Sequence, residues 1–119
     1  MRKDQYFSFD RCDFRKVSAH GGSGMIFTER VLGEASETAC DFVDLTILPP
    51  GSDIGIHTHR PQEEEFYVVI SGTGQMHLDG ETFQVGSGDV IRNRAGGTHG
   101  LRNTGDQEVR LVVFQVPTG

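Results

Sequence analysis

The chain has 119 residues, a formal net charge of −6, 16 glycines, 5 histidines, 2 cysteines and no tryptophan. That length suits one domain of the commonest size, ~100–150 residues, and the acidic balance excludes the concentrated Lys/Arg that nucleic acids or anionic membranes require. Glycine stands at about twice the roughly 7% of average usage, which calls for many tight turns and favours β architecture over a helical bundle.

No window approaches the ~18 apolar residues of a membrane span, and the opening Met1-Arg2-Lys3-Asp4-Gln5-Tyr6 lacks the apolar core of a signal peptide. Cys12 and Cys40 are too few for a disulfide framework or a Cys-based zinc site and read as free thiols of a reducing compartment. A cytoplasmic protein with no nucleic-acid and no membrane partner is expected.

Residues 1–24 mix charges and aromatics and end on His20-Gly21-Gly22-Ser23-Gly24, which predicts a flexible N-terminal arm with room for one short strand. Residues 25–119 form the single main domain. Met25 to Leu32 suits a strand, and Gly33 to Cys40 reads as a polar turn. Phe42 to Leu48 is rich in β-branched residues and stops at Pro49-Pro50-Gly51, which cannot continue a ladder. Phe66 to Ile70 is a continuous apolar run suited to a buried strand. Gln75 to Leu78 and Thr82 to Val85 alternate about Asp79-Gly80, a hairpin turn signal. Val90-Ile91, His99 to Arg102 and Val109 to Val116 complete a series of short strands, and no segment carries a helical period. An all-β antiparallel barrel or jelly roll follows.

The chemistry-bearing residues are His57, His59, Glu63-Glu64-Glu65 and His99. In an extended strand the i and i+2 imidazoles of His57-Thr58-His59 point to one face, where they can share a metal ion. A third nitrogen and a carboxylate would complete a mixed N/O set of the kind taken by Mn, Fe, Co, Ni, Cu or Zn. Two surface histidines beside a solvated acidic run are the plainer alternative.

Two longer patterns enclose these residues. The first is Gly51-SDIGI-His57-Thr58-His59-RPQEE-Glu65-FYVVIS-Gly72, and the second is Gly88-DVIRN-Arg94-Ala95-Gly96-GT-His99-GLR-Asn103. They occur in order across residues 51–103, and in both spacing and residue type the chain resembles the cupin superfamily. The resemblance implies a double-stranded β-helix, the cupin jelly-roll β-barrel. It departs from the family pattern at Arg94, where proline is usual, and in the stretch from His59 to the glutamate, one residue longer than usual if Glu65 is the carboxylate. Glu64 would restore that spacing but lengthen the stretch to Gly72. Glu65 is preferred, because a loop absorbs an extra residue more readily than a strand. Period two then turns Tyr67 and Val69 inward with Glu65.

The resemblance further implies that His57, His59, Glu65 and His99 hold one divalent metal ion, of the Fe, Mn, Ni or Zn kind. It also implies a small-molecule substrate in the barrel and a homodimer as the assembly. The function expected is that of a metal-dependent enzyme acting on a small oxygenated carboxylate or carbonyl compound, of dioxygenase or decarboxylase type. A non-catalytic binding or sensing cupin and a metal-dependent sugar or sugar-phosphate isomerase are the alternatives. Glu65 and Tyr67 are the candidate catalytic groups, as base and acid. Arg92 and Arg94 are candidates for a carboxylate clamp, although an outer-face position covering apolar surface is the favoured reading for both. His77 is expected to face solvent, Asn103 to fix a loop, and His20 has no assigned role. Phe42, Phe83, Phe114, Val69, Leu101 and Val112 are expected to line a mostly apolar pocket.

Overall fold

The computed structural model describes residues 5–33 and 37–118 and is all-β apart from a short 3-10 turn at Phe9–Arg11. Ten strands follow in chain order: β1 Arg15–Val17, β2 Ile26–Leu32, β3 Phe42–Leu48, β4 Asp53–Thr58, β5 Glu63–Ser71, β6 Thr73–Leu78, β7 Glu81–Gly86, β8 Val90–Asn93, β9 Thr98–Asn103 and β10 Val109–Pro117. They form two antiparallel sheets, ordered β1-β2-β3-β10-β5-β8 and β4-β9-β6-β7. The Gly33 to Cys40 turn lies partly outside the described residues. No helix among the described residues is long and apolar enough to cross a membrane.

Strand alternation builds the interior. On β10, Val109, Leu111, Val113 and Gln115 are buried while the residues between them face outward. On β5, Glu65, Tyr67 and Val69 share the inner face. With Leu48, Met76, Ile91 and Leu101 the apolar members of these faces form one hydrophobic core, and burial of each contributes on the order of 1.5–3 kcal/mol. The polar Glu65 and Gln115 lie opposite one another on neighbouring strands, at one end of this apolar filling.

Turn chemistry follows the sequence. Asp79 and Gly80 both adopt positive φ, 49° and 86°, as a two-residue hairpin between β6 and β7 requires. Gly51, Gly72, Gly88 and Gly96 also have positive φ. At Gly72 the space is closed as well, because a Cβ there would press on Val109 of β10. Asn103 is buried and ties the end of β3 to the turn between β9 and β10: its amide donates to the carbonyls of Leu48 and Gln107, and its Oδ1 accepts from the N–H of Gly105.

The arm is partly woven into the barrel. The short strand expected within residues 1–24 is β1, which pairs with β2. Phe9 stacks on Phe14, and the Arg110 guanidinium lies 5.3 Å from the centre of the Phe9 ring. Tyr6 and Phe7 remain exposed. Cys12 and Cys40 are both free thiols.

Candidate metal centre

The four residues of the two sequence patterns come from three strands and the loop after β4. His57 lies near the end of β4, His59 just beyond it, Glu65 on β5 and His99 on β9. The register between β4 and β9 shifts: Ile54 pairs with Leu101, yet His57 pairs with His99. One extra residue is therefore accommodated on β4, a bulge of the kind that re-aims side chains beside functional sites. It sets the His57 and His99 rings 4.5 Å apart, centre to centre.

The donor atoms converge. His57 Nε2 is 3.1 Å from His59 Nε2, His99 Nε2 is 3.1 Å from Glu65 Oε1, and His59 Nε2 is 3.5 Å from the same oxygen. One ligand atom from each of the four residues lies within 4.8 Å of every other. Glu65 and His99 are buried, and His57 and His59 are half-buried. Three imidazole nitrogens and one carboxylate oxygen make a donor set that fits a divalent transition metal. His57 has its second nitrogen already engaged, because Nδ1 donates to the Gly55 carbonyl at 2.7 Å and leaves the Nε2 lone pair facing the cluster.

Electrostatics prepare the same residues. Burial lowers the His57 pKa to about 4, with only the Gly55 carbonyl opposing it and the neighbouring imidazoles adding to it, so this ring is neutral at neutral pH. Burial acts to raise the Glu65 pKa, but the hydrogen bonds from His59 and His99 outweigh it and bring the value down to about 2. The bond to Glu65 raises His59 against the effect of burial. The metal-free cluster thus holds an anionic carboxylate against imidazoles.

Glu64 and Glu65 face opposite ways. The Glu64 carboxylate turns outward to Arg92, which donates to it through Nε at 2.8 Å and Nη2 at 3.1 Å. Arg92 is thus on the outer face, and Arg94 is exposed; neither lines the cavity above the four residues. That cavity measures about 380 Å³ and is walled by Arg30, Phe42, Asp44, Arg60, Glu63 and Gln115, with His20 beside His57.

The apolar lining foreseen from the sequence is largely corrected. Of the six residues named for it, only Phe42 borders this cavity. Val69 and Leu101 belong to the core, Phe83 is exposed on the edge strand β7, and Val112 and Phe114 point to the outer side of β10. Phe114 stacks there on Phe66, at 4.9 Å. The cavity wall is instead mainly polar. Arg30 holds Asp44 through two hydrogen bonds of 2.9 and 3.2 Å and lies 4.0 Å over the Phe42 ring. Gln115 donates to Glu63 and Asp41.

Tyr67 is fully buried, edge-on to the His99 ring at 5.4 Å. It borders a second, smaller cavity of about 130 Å³, which it shares with Glu65 and His20. Burial, reinforced by the Glu65 charge, pushes its pKa well above the ordinary phenol value, so its hydroxyl keeps its proton. His77 faces outward and shares a hydrogen bond with Thr82. Arg30, Asp44, Arg60, Gln115 and His20 are among the cavity residues that sequence reasoning did not select. His20 carried one signal, its place at the head of a glycine-rich stretch where the chain can bend closely around a neighbour.

Two antiparallel sheets enclosing three imidazoles and a carboxylate define a double-stranded β-helix with a cluster able to hold a metal. The chain belongs to the cupin family: the model of the Cupin domain matches residues 44–115. It is 30% identical over 99 residues to the oxalate-binding protein of Thermotoga maritima, covering 82% of this chain and 81% of that one. A crystal structure of a predicted oxalate decarboxylase from Thermotoga maritima superposes with a TM-score of 0.88 at 26% identity, covering 95% of this chain and 99% of that one. The chain is also 26% identical over 73 residues to the 5-nitrosalicylic acid 1,2-dioxygenase of a Bradyrhizobium species, where the match covers 61% of this chain and 34% of the longer relative.

Proposed function

We propose that this cupin holds one divalent transition metal through His57, His59, Glu65 and His99 and acts on a small oxygenated carboxylate or carbonyl compound. The observation that carries this reading is the convergence of four donor atoms within 4.8 Å, with His57, His59 and Glu65 bordering an open cavity and His99 buried behind them. A bound ion would supply Lewis acidity toward a carboxylate or carbonyl oxygen. The protein's own part is to admit and orient the compound: Arg60 is almost fully exposed at the cavity wall, 4.0 Å from Glu63, and is free to swing onto an anionic group. The names of the relatives, oxalate-binding protein and 5-nitrosalicylic acid 1,2-dioxygenase, both involve small carboxylates.

Glu65 and Tyr67 are the proposed acid–base pair, with Glu65 receiving a proton and the Tyr67 hydroxyl, on the same strand face, able to return one. The burial of Tyr67 away from the larger cavity favours a second reading, reversible binding without turnover. Elemental analysis followed by calorimetric titration with oxalate and product analysis under air separates the two. Metal retention, oxalate binding and a released product support the enzyme; binding without product supports the second reading. Absence of any bound transition metal at one equivalent would sink both. The proposed setting is the cytoplasm and the proposed assembly a homodimer, the latter checked by light scattering of the full chain and of a chain lacking residues 1–20.

A further inference from the structure

The arm delivers a fifth imidazole to the cavity. The His20 ring lies flat on His57, with centroids 3.5 Å apart and planes 7° from parallel. It borders both the larger cavity and the smaller one that holds Tyr67. The backbone at His20 has φ +52°, a conformation that residues with side chains rarely adopt and that clusters at functional sites.

Several contacts impose that conformation. Ala19 forms a parallel bridge with Ile54, and its carbonyl accepts the N–H of Gly55, within the bulge of β4, at 3.0 Å. The same carbonyl accepts from Gly22 at 2.9 Å, and the Ser23 carbonyl accepts from Asp53 at 3.0 Å. Gly55 and Gly22 permit the approach, since a Cβ on Gly55 would strike the His20 carbonyl and one on Gly22 would strike Asp53. The bulge that aims His57 and the turn that seats His20 are thus one piece of structure.

Burial does not explain this arrangement, because His20 is exposed. Hydrogen bonding within the chain does not explain it either: no described residue bonds to its ring nitrogens. Its nitrogens are also outside the group of four converging donors. What remains is a ring held rigidly at a cavity wall with its polar atoms unspent.

We propose that His20 is a ligand-positioning residue, whose ring N–H donates to an oxygen of a small carboxylate or carbonyl compound seated over the four-residue cluster. The proposal rests on the metal-dependent reading above. A stacked imidazole offers one N–H donor and one acceptor in a fixed plane, and it can bind a ligand's second oxygen while the first faces the cluster.

The test uses the full chain loaded with cobalt(II), titrated calorimetrically with oxalate. Two variants divide the ring from its N–H: His20→Phe keeps an aromatic face, and His20→Gly removes the ring while accepting positive φ. Both are expected to bind oxalate about tenfold more weakly, with cobalt content unchanged. His20→Gln should recover part of the loss through its amide N–H. The melting temperature of His20→Gly should not fall below that of the wild type, so this variant decides the matter if His20→Phe folds poorly. Wild-type oxalate affinity in His20→Gly would overturn the proposal, as would loss of cobalt, which would make the ring part of the metal site. A wild-type protein that takes cobalt and ignores oxalate would overturn the carboxylate reading, and this proposal with it. Normal wild-type binding with unaffected variants would overturn the role of His20 alone.

Discussion

His57 stands directly across the β4–β9 ladder from His99, although the pairing of Ile54 with Leu101 would, without interruption, put Ile56 there instead. The bulge moves a ligand-type side chain inward and leaves Ile56 exposed at 58%. A large apolar residue facing solvent beside the site is thus the counterpart of an imidazole facing the cluster.

Gly55 makes the bulge and the arm compatible. Gly55→Ala would drive a methyl into the His20 carbonyl and against the Gly22 nitrogen. The arm must then separate from β4, at a cost of about 1–3 kcal/mol. Urea unfolding should report that loss, and the affinity for cobalt(II) should fall with it as the His57 ring loses its fixed aim.

The two adjacent glutamates should behave oppositely. Glu65→Gln keeps side-chain volume but removes the anion that faces His59 and His99, and metal affinity should drop by at least about tenfold. Glu64→Gln weakens only an outer-face pair with Arg92, for which little change in stability and unchanged metal affinity are expected. Equilibrium dialysis against cobalt(II) compares the two directly. Equal losses in both variants would refute the assignment of Glu65.

How legible this was in the sequence depended on the range of the signal. The hairpin at Asp79-Gly80, the strand ending at Pro49 and the histidine spacing are local, and each predicted its element. The parity of β10 was not local, because Leu111 to Phe114 is apolar at every position and alternation cannot tell one face from the other. Val112 and Phe114 were therefore placed inside although they face outward. His20 was missed for a different reason: its contact with His57 depends on a bulge in β4 and on two glycines meeting, and neither leaves a periodic trace. Arg92 and Arg94 sit on the outside, as the favoured outer-face reading expected, but Arg30 and Arg60 were missed because β2 and the loop after β4, both distant in sequence from His99, bring them to the cavity.

Acid should destabilise the metal-free protein in two steps. The His57 pKa is about 4 in the folded chain against 6.5 when unfolded, so between those values only the unfolded chain takes up this proton. Stability is therefore lost as pH falls from 6.5 toward 4, by no more than about 3 kcal/mol. Glu65, at about 2 against 4.5, adds stability that is present above 4.5 and lost as pH falls toward 2. His59 acts in the other direction: its pKa is raised, and its contribution is present below 6.5 and lost as pH rises through the folded value. Urea titrations in chelator at pH 7, 5.5 and 4.5 should show the first step, and His57→Gln should remove it. A flat profile between pH 6.5 and 4.5 in the wild type would contradict the burial argument for His57.

Asn103 separates the framework from the chemistry. It lies four residues along β9 from His99, about 13 Å in an extended strand. Its amide ties the end of β3 to the turn before β10, through Leu48 and Gln107 at 2.8 Å each, and its oxygen holds Gly105 at 2.9 Å. Asn103→Ala leaves these backbone groups without partners, with an expected loss of about 2–4 kcal/mol. Asn103→Asp keeps the bond to Gly105 but faces an anion toward two carbonyl oxygens in a buried position, so at neutral pH it should destabilise more than alanine. Lowering the pH should then recover part of the loss, because a protonated carboxyl donates to one of the carbonyls. In both variants, measured where they remain folded, the cobalt(II) affinity should match the wild type. A parallel loss of metal would show that the Asn103 turn and the histidine cluster are coupled through β9.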